Sequence, residues 1–98
     1  MRRLLDDATL RRWMETHAEW ARSGDTLERT FTFPSFPEAV AFVNRVAELA
    51  EEMDHHPDLD VRYDRVRVGL STHSSGGITG MDTALAEKVA AAAGELMA

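Results

Sequence analysis

Apolar residues recur along this chain at two different spacings, and the switches between them outline its elements. Leu10, Trp13 and Met14 share one face at i, i+3, i+4 and predict a first helix over residues 7–15, capped by Asp6 or Asp7. His17 to Trp20 is read as a short strand and Arg22-Ser23-Gly24-Asp25 as a turn. From Leu27 to Phe33 the pattern alternates, with Leu27, Phe31 and Phe33 on one side and Glu28, Thr30 and Thr32 on the other, as in a half-buried strand. Arg29 falls on the apolar side, which places it near a sheet edge or reaching to solvent. Ser35-Phe36-Pro37-Glu38 then has capping-box spacing with proline in the first turn, a strong helix start. That helix runs to about Asp54, with Phe36, Val40, Val43, Val46, Ala47, Ala50 and Met53 as its predicted buried stripe.

Beyond Pro57 the spacing returns to two. Val61 and Tyr63 share one parity, whereas Val66, Val68, Leu70 and Thr72 share the other. The slip at Asp64-Arg65 predicts a tight hairpin or a bulge, and the hairpin reading joins strand 59–63 to strand 66–73 with His73 at its end. Ser74-Ser75-Gly76-Gly77 is a loop. Thr79 and Asp82 repeat the capping-box spacing, and a final helix runs to about residue 96, packed by Ala84, Leu85, Val89, Ala92 and Leu96. The order α-β-β-α-β-β-α gives two hairpins, hence a four-stranded antiparallel sheet with three helices on one face, an α+β layer fold. The uncovered sheet face and the edge strands are then liabilities for a monomer, and self-association follows as an expectation.

Composition narrows the classes. A chain of 98 residues with 44% apolar and 29% charged residues suits one compact domain, residues 1–98. It has no cysteine, so disulfides, thiolate metal sites and cysteine nucleophiles are excluded. The net charge of −6 disfavours non-specific nucleic-acid binding and docking on anionic membranes. Arg2 and Arg3 are followed by acids rather than by an apolar run of signal length, and no stretch approaches a membrane span, so a cytoplasmic protein is the default expectation.

The chemistry concentrates where the long helix must stop. In Glu51-Glu52-Met53-Asp54-His55-His56-Pro57, proline keeps the residue before it out of the helical region, so both imidazoles sit at the helix end or just after it. Glu48, Glu51, Glu52 and Asp54 crowd an end whose dipole favours cations, and charged imidazoles there relieve the mismatch. Histidine titrates near neutrality, at about 6.5, so two of them among carboxylates form a candidate proton-transfer site. The plainer readings are a polar helix terminus for His55 and His56, a strand-end histidine for His73, a capping residue for Asp82 and a solvated helix residue for Glu51. His17 has no partner in the pattern, and Trp13 and Trp20 read as core or interface. A metal site is the rival use of three histidines, but neighbours in sequence do not easily face one ion from a regular element.

Taken together, Glu51, His55-His56-Pro57, Tyr63, His73 and Asp82 have a spacing that resembles the signature of the pterin-4a-carbinolamine dehydratase family. The flanks agree: Leu27-x-Arg29-x-Phe31-x-Phe33, Ala47-Glu48 with Ala50-Glu51, and Leu70-x-Thr72-His73 before Gly76-Gly77. The similarity covers about residues 7 to 90. It implies an antiparallel sheet with helices on one face, assembled as dimers or tetramers. It also implies dehydration of a 4a-hydroxytetrahydropterin, left by an aromatic amino acid hydroxylase, to quinonoid dihydropterin, with no metal and no cofactor. By the resemblance His55, His56 and His73 line the pterin pocket, with His55 and His73 as acid/base groups and His56 orienting substrate. Glu51 bonds the pterin or tunes His55, Pro57 shapes the pocket with them, and Asp82 orients His73 or a bound water. The alternative is a pterin-binding or partner-assembly module on the same fold. The chain departs from the family where Met81 replaces a common basic residue, at Gly80 before it, and at Asp60, where asparagine is frequent.

Overall fold

The computed structural model describes residues 2–97. Helix α1 (Asp7–Glu15) is followed by strands β1 (Ala21–Ser23) and β2 (Thr26–Thr32), the long helix α2 (Phe36–Met53), strands β3 (Asp58–Arg62) and β4 (Arg65–Leu70), a 3-10 turn (His73–Ser75), and helix α3 (Gly80–Met97). The strands form an antiparallel sheet in the order β1-β2-β4-β3, so each hairpin contributes one central and one edge strand. This is the expected α+β fold in the expected order. Among the described residues no helix is long and apolar enough to cross a membrane.

Local chemistry accounts for most boundaries. Asp6 caps α1 by accepting the Thr9 N–H at 2.7 Å, a bond that holds its carboxyl below the ordinary value. Ser35 caps α2, its Oγ accepting the Glu38 N–H at 3.5 Å, but Glu38 leaves its own Oε2 buried and unpartnered, so only the serine half of that box is made. The other end of α2 is set by Asp54, in the left-handed region at φ 49°. The His55 N–H reaches back to the Ala50 carbonyl at 3.0 Å, closing a Schellman-type cap. The helix therefore stops before Pro57 exerts its effect.

Several expectations are corrected. The segment from His17 to Trp20 is a turn, and β1 begins at Ala21 because Gly24, at φ 59°, and Asp25 make a two-residue hairpin that pairs Ser23 with Thr26. The second hairpin turns at Tyr63-Asp64, one residue earlier than expected, with Arg62 paired to Arg65 and Tyr63 at φ 55°. Strand β4 ends at Leu70, so His73 opens the 3-10 turn instead of closing a strand. Thr72 forms only an isolated bridge with Gly77. Arg29 lies on a central strand, not at an edge, and rests its guanidinium on the Phe31 ring, 4.3 Å from the centroid.

The buried stripe of α2 is also rotated from the expected one. Ala39, Phe42, Val46, Leu49 and Ala50 are buried, Val43 and Met53 are half-buried, and Phe36, Val40 and Ala47 are exposed. The helix is apolar around more than one face, so periodicity alone does not select the side. Phe42 decides it, because its ring packs on Phe31 and Phe33 at centroid distances of 5.0 and 4.9 Å. Helix α3 buries Leu85, Ala86, Val89, Ala92 and Ala93, with Ala84 and Leu96 half-buried.

The far sheet face is charged: Arg67 bonds Glu28, and Asp60 at 3.4 Å. Large exposed apolar side chains are Leu4, Val61 and a group at the start of α2, where Phe36 (48% exposed) stacks on the turn residue Tyr63 (72% exposed) at 6.5 Å, with Val40 one turn on.

Two stability outcomes follow. Phe42→Ala empties the centre of the aromatic cluster and is expected to cost about 3–5 kcal/mol in urea unfolding; a loss under about 1 kcal/mol would mean that the rings do not hold the sheet to α2. Asp54→Gly relieves a left-handed non-glycine and removes an anion from a helix C-terminus, so it is expected to stabilise by about 1 kcal/mol. Destabilisation by that variant would show that the Asp54 carboxylate makes a compensating interaction.

Candidate active site

The register of the second hairpin assembles the site. Asp58 pairs with Gly69 and Leu59 with Val68, so the chain just before β3 and the chain just after β4 emerge at the same end of the sheet. Just beyond the strands stand His55 on one side and Thr72 on the other. Helix α3 begins at the same end and brings its first-turn carboxylate, Asp82, between them.

Asp82 is fully buried and its two oxygens have separate partners. Oδ1 lies 2.6 Å from His55 Nε2. Oδ2 accepts the Thr79 backbone N–H at 2.9 Å and the Thr72 hydroxyl at 2.7 Å. Thr72 and Thr79 hydroxyls are themselves 2.8 Å apart, and Thr79 Oγ1 accepts the Met81 N–H at 3.2 Å. The capping box read from sequence is thus real, but it uses only one of the two oxygens. An uncompensated carboxylate in such a place costs several kcal/mol, and these donors supply the compensation.

His56 is arranged differently. Its Nε2 meets Glu51 Oε2 at 2.5 Å, one turn back on α2. The imidazole side chain is 58% exposed and the carboxylate 74%, against 12% and 0% for the His55–Asp82 pair. Exposed pairs contribute at most about 1 kcal/mol, so Glu51 steers His56 without fixing it. Pro57 is half-buried and leads directly into β3. His73 is exposed at the start of the 3-10 turn, immediately after the Thr72 hydroxyl that bonds Asp82.

Only the histidine partners differ from those expected. Asp82 holds His55, not His73, and Glu51 meets His56, not His55. The hairpin explains both, since it sets His55 beside the α3 N-terminus and leaves His56 pointing back along α2. Tyr63 stands at the opposite end of β3, roughly 17 Å away for five extended residues, and is not part of the cluster. Trp20 is buried in the core, and Trp13 stacks on His17 at 4.1 Å while donating Nε1 to Glu87 at 3.2 Å, so neither tryptophan nor His17 serves the site. What the sequence reading missed is the threonine pair. The signal was present as Thr72 beside His73 and Thr79 at the cap, but nothing in the spacing says that both hydroxyls converge on one carboxylate.

A cavity of about 460 Å³, lined by Asp7, Leu10, Arg11, Met14, Glu15 and Arg22, lies between α1 and β1, away from every histidine of this cluster. Among the described residues no three His, Asp or Glu side chains converge as metal ligands do. The cluster offers one imidazole locked to a buried carboxylate and two exposed imidazoles at the same end of the sheet, a set suited to moving protons.

Known proteins share this arrangement of sequence and fold. A protein of Thermomicrobium roseum, provisionally named a pterin-4-alpha-carbinolamine dehydratase, is 57% identical over 88% of this chain and 92% of its own. A similarly named protein of Nocardia farcinica is 48% identical over 88% of this chain and 90% of its own. Among solved structures, the transcriptional coactivator/pterin dehydratase from Brucella melitensis superposes with a TM-score of 0.88 at 33% identity, covering 92% of this chain and 98% of that one. A pterin dehydratase-like protein identified as a RuBisCO assembly factor in the alpha-carboxysome superposes at 0.64 with 28% identity, covering 76% of this chain and 87% of that one. The model of the pterin 4 alpha carbinolamine dehydratase family matches residues 3–92, and the chain belongs to that family.

Proposed function

We propose that this protein dehydrates a 4a-hydroxytetrahydropterin to quinonoid dihydropterin, in the recycling of a tetrahydrobiopterin-type cofactor left by an aromatic amino acid hydroxylase. The observation that carries the reading is the 2.6 Å contact between His55 Nε2 and the fully buried Asp82, which fixes one imidazole where two others are open. The reaction breaks the bond between C4a and its hydroxyl. A proton delivered to the hydroxyl lets it leave as water, and a proton taken from the ring nitrogen frees the electron pair that closes the C=N bond. Both transfers suit groups that titrate near neutral pH. His55 and His73 are the proposed acid/base pair, His56 with Glu51 orients the pterin, and Pro57 and Asp82 shape the site around them.

The polar, partly exposed setting of His56 and His73 supports a heterocycle as substrate, since its ring edge presents donors and acceptors to such groups. Family membership and the names of the relatives support the same chemistry.

A second reading has its own observation. Phe36 and Val40 on α2 and Tyr63 in the β3–β4 turn are exposed apolar side chains, and a relative on this fold is a RuBisCO assembly factor. The patch fits homodimer or homotetramer formation, with the helix face in place of the charged sheet face as the surface to be covered.

The dehydratase reading is tested with freshly generated 4a-hydroxytetrahydropterin, following quinonoid product after subtraction of the spontaneous rate. The parent is expected to accelerate the loss of water, and His55→Gln and His73→Ala each to lose about 100-fold or more while remaining folded by circular dichroism. A folded parent that gives only the spontaneous rate sinks it. For the association reading, light scattering at micromolar concentration is expected to report a dimer or tetramer that Val40→Glu with Tyr63→Glu converts to a monomer; a monomeric parent contradicts it.

A further inference from the structure

We infer that Thr72 is a positioning residue that fixes the proton of His55 on Nε2 and so makes Nδ1 the nitrogen that exchanges protons with substrate. The inference deepens the dehydratase reading and rests on it for its kinetic part only.

Each hydrogen bond around Asp82 has one permitted direction. The Thr79 backbone N–H can only donate, so Oδ2 accepts there, at 2.9 Å. The Thr72 hydroxyl stands 2.7 Å from the same oxygen, and a carboxylate oxygen already taking an N–H is best served by a second donor. The single Thr72 hydrogen is thereby committed to Asp82. At 2.8 Å from Thr79 Oγ1, Thr72 can then only accept, and Thr79 must donate. Thr79 is free to do so because its own oxygen takes the Met81 N–H at 3.2 Å. The chain runs one way, from the Met81 amide through Thr79 and Thr72 to Asp82, and such chains polarise each successive bond.

With two donors already on Oδ2, Oδ1 is left as the acceptor toward the ring, and His55 Nε2 carries the hydrogen of the 2.6 Å bond. The remaining nitrogen, Nδ1, makes no hydrogen bond in the described structure. The only buried, unpartnered side-chain nitrogen or oxygen atoms among the described residues are Trp20 Nε1 and Glu38 Oε2. His55 Nδ1 therefore keeps some contact with solvent, on a side chain that is 12% exposed. It accepts a proton when the ring is neutral and donates one when the ring is charged.

Thr72 is also committed through its backbone. Its N–H donates to the Gly77 carbonyl at 2.8 Å, and its carbonyl accepts the Ser75 and Gly76 N–H groups at 2.9 and 3.0 Å. The turn that opens with His73 hangs on these bonds. One residue thus sets the tautomer of one proposed acid/base histidine and the backbone of the other.

The test is nitrogen-15 NMR of protein labelled at histidine, with the His55 resonances assigned by their loss in His55→Gln. In the parent, neutral His55 is expected to show the Nε2-protonated coupling pattern. Thr72→Val, which keeps the shape and removes the hydroxyl, is expected to give a mixture of Nε2–H and Nδ1–H forms and to lower kcat roughly tenfold to a hundredfold with KM within about twofold, a share of what general acid–base catalysis supplies. Thr72→Ser is expected to restore the parental tautomer and most of kcat. An Nδ1-protonated parent overturns the inference without any variant, so a Thr72→Val that fails to fold does not protect it. A folded Thr72→Val with the parental tautomer and kcat overturns it as well. A parent with the expected tautomer but no dehydration would instead remove the reaction proposed above and leave the tautomer assignment standing.

Discussion

One buried carboxylate organises this end of the molecule. Asp82 has no exposure to water, so its charge depends on donors the fold must supply, and they come from three separate segments: the chain after α2 through His55, the chain after β4 through Thr72, and the N-terminus of α3 through Thr79. Removing any one leaves a charge paired too few times in a low-dielectric place. The same need makes the location specific, because a helix N-terminus supplies oriented N–H groups and a favourable dipole for an anion. The site and the junction of the three segments are one structure.

That dependence also ranks the histidines. His55 gives up a nitrogen to the buried acid and is held nearly out of solvent, whereas His56 and His73 stand exposed. A rigid group beside two exposed ones suits a small planar substrate: one fixed reference point for the reacting atoms, and open side chains to meet the rest of the ring. The hydroxyl pair beneath Asp82 carries the rigidity one layer deeper, into residues that touch neither solvent nor substrate.

The sequence disclosed the architecture because the architecture rests on local signals. Two hairpins, two capping boxes and the change of apolar period give the order of elements, and the spacing from Glu51 to Asp82 points to the family. The errors arose where local signals were ambiguous or silent. Helix α2 is apolar around more than one side, and only the tertiary contacts of Phe42 with Phe31 and Phe33 choose between them. A parity slip at Asp64-Arg65 locates a turn to within a residue and no better. Partnerships within the site were invisible for a different reason. Whether Asp82 meets His55 or His73 is decided by the β3–β4 register together with the start of α3; the Thr79–Asp82 spacing marks the helix start, but the register is set at the Tyr63-Asp64 turn, away from all three residues.

That register gives the doubled histidine a further meaning. The two imidazoles are chemically identical, yet one is buried on a carboxylate and the other lies in solvent, and the difference comes from the pairing of Asp58 with Gly69. A slip of one residue in the hairpin would bring His56 to Asp82 and turn His55 outward, while also reversing every side chain of β3 against the core. Val66 and Val68, fully buried on β4, and Leu59 opposite Val68 forbid that exchange. The division of labour between two neighbouring letters of the sequence is thus enforced by aliphatic packing several residues away, so a conservative change of volume in that strand pair can alter the proton chemistry of a histidine it never touches.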